Sequence, residues 1–172
     1  MFDTARKLIN DANKIVVIQA ENPDGDSLGS SLALEEILSD LGKDVVLFCA
    51  IDIPKYMHYI KGWDRVVKDW PVDRELAIIV DTTSKALLLK TFEIPGVIHF
   101  MESHPVVAID HHQGVESDLP FEHTVINDVT AVATSEAIYK MATEAGWEIN
   151  QQAAENMFLS IQADSLGLTT QN

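Results

Sequence analysis

The chain has 172 residues, 47% hydrophobic and 23% charged, the composition of one globular domain. Its formal charge of -15, from 27 acids against 12 bases, argues against broad electrostatic adhesion to duplex nucleic acid, although a bound cation would let an acidic pocket take a phosphorylated substrate. The first residues are polar, no apolar run approaches the ~18 residues that span a bilayer, and the lone Cys49 fits a reducing compartment, so a cytoplasmic protein with no membrane partner is expected.

Residues 3–13 predict a short helix with Leu8, Ile9 and Ala12 inward, and residues 15–19 a strand. Asn22-Pro-Asp-Gly-Asp-Ser-Leu-Gly-Ser30 then turns the chain, with Asp26 or Ser27 placed to cap a helix that runs to about Leu41. Asp24 and Asp26 can project into one pocket beside the free amides of that helix start, or serve only as turn and cap residues. Val45–Phe48 is the second strand. Residues 53–60 read as a short helix with Tyr56, Met57 and Ile60 inward, His58 as structural or exposed, and Trp63 and Trp70 as core or edge rather than a base-stacking surface.

Leu76–Val80 is an apolar strand that delivers Asp81 to a sheet end, where a buried carboxylate is costly unless paired or metal-bound; a cap through Thr82 or Ser84 is the other reading. Residues 85–90 predict a helix broken by Glu93-Ile-Pro-Gly96, residues 97–101 are ambiguous, and His99 and His104 read as structural. Pro105–Ile109 is a buried strand, so Asp110, His111 and His112 emerge at its carboxyl end, where open α/β sheets bind ligands. Adjacent imidazoles on an extended segment cannot face one metal alike: one is a ligand, the other a phosphate or outer contact, with Asp110 orienting both. Val125-Ile126 is the next strand, residues 133–145 a helix ended by Gly146, and residues 151–161 a last helix leading to Asp164. The order predicts a doubly wound α/β unit with a mostly parallel sheet of about five strands. Four segments carrying acids and imidazoles to one rim point to a metal site.

Asn22–Ser30, Asp81 in Val-Asp-Thr-Thr, Asp110-His-His112 and Asp164 in Ala-Asp-Ser-Leu-Gly together resemble the four motifs of the DHH phosphoesterase superfamily, and Ala133-Thr-Ser-Glu136 resembles a further stretch of it. The likeness covers nearly the whole chain and is nearest to the bacterial branch acting on short oligoribonucleotides and 3'-phosphoadenosine 5'-phosphate. The resemblance implies two Mn2+ ions, with Mg2+ an alternative, and hydrolysis of a small nucleotide or short single-stranded oligonucleotide. It places Asp24 on the first metal and Asp26, His111 and Asp164 on the second. Asp81 bridges them, and the catalytic roles fall to His112 on the phosphoryl oxygens and Asp110 behind the histidines.

Two departures from that pattern lead to an expectation of weak or absent activity. The histidine expected four residues before Asp24 is Ala20, whose methyl cannot coordinate metal, and Gln19 and Glu21 are expected to point away. The chain also reaches only Asn172, where relatives begin a linker to a C-terminal substrate-binding domain, so residues 1–172 are expected to be the metal-binding catalytic domain alone, whether excised or minimal. A non-catalytic nucleotide- or metal-binding regulatory module and a structural domain whose acids merely cap helices are the alternatives. Apolar edges around Phe48, Tyr56, Trp63 and Trp70 leave room for a homodimer.

Overall fold

Apolar, β-branched runs buried on both faces are what parallel strands covered by helices require. In the computed structural model, which describes residues 2–114 and 116–169, five such segments form one all-parallel sheet: β1 (Lys14–Gln19), β2 (Asp44–Phe48), β3 (Leu76–Val80), β4 (Val106–Asp110) and β5 (Thr124–Asn127). Their order is β2-β1-β3-β4-β5. The chain steps outward from β1 to β2 and then returns to the other side of β1, so the direction of winding reverses between β1 and β3. A crevice opens outside the carboxyl ends of the strands at such a point. Residues 170–172, read from sequence as the start of a linker, lie outside the described residues together with Met1.

Strand alternation sends side chains to two cores. Ile15, Val17, Ile78, Val80, Val107 and Ile109 face α1 (Asp3–Asp11), α2 (Gly25–Asp40), α5 (Thr134–Ala145) and α6 (Gln151–Asp164). Val16, Ile18, Ala77, Ile79 and Ala108 face α3 (Leu89–Glu93), α4 (Val97–Ser103) and the aromatic residues Trp70, Phe92, Phe100 and Phe121. On α2, Leu28, Leu32, Leu34, Ile37 and Leu38 are fully buried, each stabilising the fold by roughly 1.5–3 kcal/mol relative to exposure.

Several expectations change. Residues 53–60 make only a 3-10 turn at Lys55–Met57; Met57 and Ile60 are buried, but Tyr56 is 70% exposed. Gly62, at φ +95, closes the segment before a helix can grow. Residues 85–90 begin as a 3-10 turn, Lys85–Leu87, and become α-helical only at Leu89. The ambiguous segment is α4, and His104 at its end stacks on Phe100. Phe48 is fully buried, and Trp70, partly buried, packs edge-on against it and Phe100. Among the described residues no helix is long and apolar enough to cross a membrane.

Candidate metal centre

The turn after β1 caps α2, but through a different residue from the ones the sequence suggests. Asp24, extended at φ -128, is the N-cap: its Oδ1 accepts from the Asp26 and Ser27 amides at 3.0 Å each, and the Ser27 hydroxyl accepts from the Asp24 amide at 2.9 Å. This reciprocal capping box is worth on the order of 1 kcal/mol. It leaves Asp24 exposed with one oxygen committed to backbone. Freed of the cap, Asp26 turns inward and is buried.

Asp26 is held by three donors. Its Oδ1 accepts from the hydroxyls of Ser30 (2.8 Å) and Ser160 (2.5 Å), and its Oδ2 from the Thr134 amide (2.9 Å). The Thr134 hydroxyl donates to Asp81 Oδ1 at 2.9 Å. Asp81 follows β3 with φ +66, a left-handed conformation that non-glycine residues rarely adopt, while its amide still donates to Ile109 O at 2.8 Å. The twist breaks the strand's alternation, and strain of this kind concentrates at functional sites.

Asp110 is buried beneath the loop after β4. Its Oδ1 accepts from the His111 amide (2.8 Å), the His112 amide (3.3 Å) and His112 Nδ1 (2.7 Å). Thr83 donates to Oδ2 at 3.4 Å. The carboxylate therefore sets the path of the loop, with His112 half-exposed and His111 turned under. Asp164 arrives from the last turn of α6, which runs three residues past the expected Ile161, so the acid stands on the helix rather than beyond it.

These elements bring Asp26, Asp81, His111 and Asp164 together. His111 Nε2 lies 3.1 Å from Asp164 Oδ2, 3.4 Å from Asp26 Oδ2 and 3.7 Å from Asp81 Oδ1. It is buried without a well-aligned hydrogen bond to any of them. Nδ1 of the same ring faces the Ala131 carbonyl at 3.4 Å. A carbonyl can only accept, so in the neutral ring the proton sits on Nδ1 and the Nε2 lone pair faces the three carboxylates. Lone pairs converging with no donor between them form a cation-binding arrangement. Asp26, His111 and Asp164 present ligand atoms within 4.8 Å of one another, as do Asp81, His111 and His112. In the second group His112 Nδ1 is already spent on Asp110.

The cluster is short of positive charge, which either a proton on His111 Nε2 or a cation can supply. Burial raises the Asp26 carboxyl above its ordinary value against the lowering effect of its hydrogen bonds. Burial, then the charges of Asp26 and Asp24, hold Asp81 well above the usual carboxylate range. Burial would lower His111, but the Asp164 carboxylate and the charge of Asp26 outweigh it and raise the imidazole. Oxygen and imidazole donors without a thiolate suit a hard or borderline divalent cation.

Asp24 joins neither group of converging ligands. Ala20, at the end of β1, presents a buried methyl, and its carbonyl accepts from Cys49 Sγ at 3.4 Å. Glu21 turns outward to accept from the Thr91 amide at 2.8 Å, while Gln19 is fully buried. The sequence reading did not single out Ser30, Ser160 or Thr83. Two of them left a signal: Ser30 lies four residues after Asp26 and Ser160 four before Asp164, one helical turn in each case and therefore on one face.

Residues 14–161 match the N-terminal domain of the DHH family. Among curated proteins, the bifunctional oligoribonuclease and PAP phosphatase NrnA of Mycoplasma pneumoniae is 27% identical over 157 residues, covering 89% of this chain and 46% of its own. NrnA of Bacillus subtilis is 24% identical over 154 residues, covering 88% and 46%. The chain thus spans about half the length of the curated relatives it matches. Among solved structures, an exopolyphosphatase-related protein from Bacteroides fragilis superposes with a TM-score of 0.81 over 98% of this chain and 51% of its own, at 22% identity. RecJ from Thermus thermophilus, in complex with Mn2+, gives 0.53 over 94% and 23%, at 16% identity. At those identities the superpositions speak for the fold. The family match runs from β1 into α6 and takes in all five strands, and on that ground the chain belongs to the DHH family, as its N-terminal domain.

Proposed function

We propose that this chain is a divalent-cation-dependent phosphoesterase domain acting on small phosphorylated nucleotides or short single-stranded oligonucleotides. One observation carries the reading: His111 Nε2 is buried without a hydrogen bond among carboxylate oxygens of Asp26, Asp81 and Asp164, at the carboxyl rim of a parallel sheet. Asp26, Asp81, His111 and Asp164 would hold a cation, Mn2+ or Mg2+ by donor type. When bound, such a cation polarises a phosphoryl oxygen and lowers the pKa of water beside it.

The protein's own groups supply the rest. Ser30, Ser160 and Thr134 hold Asp26 and Asp81 in one arrangement before any cation arrives. Asp110 fixes His112 through Nδ1, leaving Nε2 of that half-exposed ring, which donates in the imidazolium form, to meet a phosphoryl oxygen at the rim. The names of the NrnA relatives, an oligoribonuclease and PAP phosphatase, support the choice of substrate.

A second cation has a poor home. Ala20 offers a methyl, Asp24 spends an oxygen on the α2 cap, and His112 Nδ1 is bound to Asp110. We infer a chain that holds one cation firmly and hydrolyses slowly. Metal analysis and calorimetry on this chain and on Ala20→His, each assayed for release of mononucleotide from a short oligonucleotide, test this. One ion and slow turnover rising to two ions and faster turnover is the expected result. Absence of divalent binding in both proteins would leave a structural domain whose acids merely cap and turn. Cation and nucleotide binding in both, with hydrolysis in neither, would favour the regulatory module.

A further inference from the structure

The chain carries -15 overall, yet residues 55–68 hold Lys55, Lys61, Arg65 and Lys68 against Asp64, with Asp52 and Asp69 just outside the stretch. The same fourteen residues contain Tyr56, His58, Tyr59 and Trp63, so bases and flat rings alternate along one segment. This segment hangs from the carboxyl end of β2, where Val67 bridges back to Phe48. It borders an open-sided cavity of about 420 Å³ whose lining includes Asp52, Ile53, Lys55, His58, Trp63 and Lys68, with Tyr56, Tyr59 and Lys61 outside it.

The cavity wall is built for a flat ligand. His58 lies on the Trp63 indole with centroids 3.4 Å apart and planes 8° from parallel, and its Nε2 is tied to the Ile53 carbonyl at 3.0 Å. Tyr56 and Tyr59, on the same turn, stand 70% and 75% exposed, an unusual outlay of aromatic surface unless something covers it. Around them Lys61 bonds only to the neutral Gln152 amide, and Lys68 to Asp52 in an ion pair both of whose members are more than half exposed. Exposed pairs of that kind contribute little and yield readily to a competing anion. Arg65 is committed to Glu35 and Glu36 on α2 and anchors the segment.

The position matters as much as the chemistry. In the order β2-β1-β3, the cavity hangs from the same rim as Asp81, two strands away. β2 and β3 are about 10 Å apart at roughly 4.8 Å per strand, and Lys61, bonded to Gln152 twelve residues before Asp164 on α6, lies about 18 Å from the acid cluster at ~1.5 Å per residue, a span of several nucleotides. Beyond the end of the intervening strand stand the methyl of Ala20 and the turn that bears the exposed Asp24.

We propose that residues 51–68 form a subsite for the part of a single-stranded oligonucleotide lying beyond the scissile phosphate. Its bases stack on the Trp63–His58 pair and on Tyr56 and Tyr59, and its phosphates meet Lys55, Lys61 and Lys68. Stacked rings beside a basic track are the general means of holding single strands without reading sequence. The proposal rests on the phosphoesterase reading above and gives it a direction: the oligonucleotide, rather than a lone nucleotide, is the better ligand.

The test is calorimetric titration of the whole chain, in Mn2+, with a phosphorothioate-linked penta-adenylate and separately with AMP. Stacking is worth ~1–3 kcal/mol per base, so the pentamer should bind about tenfold or more tighter than AMP, and Tyr56→Ala/Tyr59→Ala should cost it about fivefold or more. Lys55→Gln/Lys61→Gln should lower the slope of log affinity against log salt by ~0.7 for each phosphate that the protein ceases to neutralise. AMP affinity should stay unchanged in both variants, whose substituted residues are exposed at the surface. A pentamer bound no tighter than AMP, or pentamer binding untouched by either double variant, overturns the subsite and leaves the phosphoesterase reading standing. A chain that binds neither ligand overturns both, and equal binding of a penta-glutamate peptide assigns the segment to charge alone and overturns the stacking.

Discussion

The Thr134 hydroxyl donates to Asp81 Oδ1 at 2.9 Å while the amide of the same residue donates to Asp26 Oδ2 at 2.9 Å. One residue at the start of α5 therefore spaces two carboxylates that would otherwise repel. Thr134→Val keeps the shape and the amide bond and deletes only the hydroxyl. Loss of an outer partner typically weakens metal binding ~10–100-fold, and a buried acceptor left unpaired costs about 1–3 kcal/mol. Divalent affinity by calorimetry should fall by that factor, with a lower melting temperature in cation-free buffer.

Ser160→Ala should act chiefly on Asp26, with the Ser135 hydroxyl losing its 2.6 Å partner as well. It removes the 2.5 Å bond to Oδ1 but leaves those from Ser30 and Thr134. A smaller loss is expected, about tenfold or less in cation affinity, because one partner of three is lost. Combined with Thr134→Val the losses should exceed their product, since both act on one buried network. A four-way calorimetric cycle measures the excess.

Gly29 lets α6 lie against α2. A methyl there would stand 2.8 Å from the Asn156 carbonyl oxygen and 3.1 Å from the Ser160 amide nitrogen, both backbone atoms that cannot swing aside. Overpacking costs ~1–3 kcal/mol and exceeds the ~1 kcal/mol that alanine gains over glycine inside a helix. Gly29→Ala should therefore lower the denaturation midpoint, and it should also weaken cation binding by pushing Ser160 and Asp164 outward. A variant more stable than the parent would show that α6 is free to give way.

Asp128 and Lys140 predict a pH effect away from the acid cluster. The Lys140 ammonium donates to Asp128 Oδ2 at 2.5 Å, and that bond, ahead of the opposing effect of burial, holds the Asp128 carboxyl below its ordinary value. A carboxyl lowered by folding contributes stability above its unfolded value, near 3.9, and loses it as pH falls through the folded one. With Lys140 nearly half in water the pair is worth about 1 kcal/mol or less. Lys140→Met should flatten the fall in stability below about pH 4, measured by denaturant titration. The pair also braces residues 128–131, whose Ala131 carbonyl accepts from His111, so the variant reports on that support too.

How far the sequence reveals this depends on which force governs each residue. β1, β3 and β4 are legible because burial on both faces demands unbroken apolar runs, and the acids that end them stand out by contrast. The position of Asp110-His-His112 at a strand end follows directly. The capping of α2 is not legible, because Asp24, Asp26 and Ser27 are all competent caps and only the turn's geometry chooses among them. Ser30 and Ser160 show in sequence only as small polar residues one helical turn from Asp26 and Asp164, and Thr134 only as part of the Ala133–Glu136 stretch; which carboxylate each holds is settled when the helices meet. The left-handed Asp81 has no sequence mark, since asparagine, aspartate and glycine carry most such positions and nothing nearby selects it. Tyr56 misleads because aromatic residues are read as core by default, and a segment of fourteen residues is too short to show which face is covered.

The bond between Asp26 and Ser160 spans 134 residues, nearly the length of the domain. Contacts so distant in sequence are slow to close and come late in folding. During synthesis, then, the acids of the first two-thirds of the chain leave the ribosome as an incomplete set, and the acidic cluster is assembled only once α6 has emerged and docked. If the proposed site loads a cation, a chain stalled before residue 160 should hold it more weakly than the full domain, and the ion once held should tie the two ends of the domain together against unfolding.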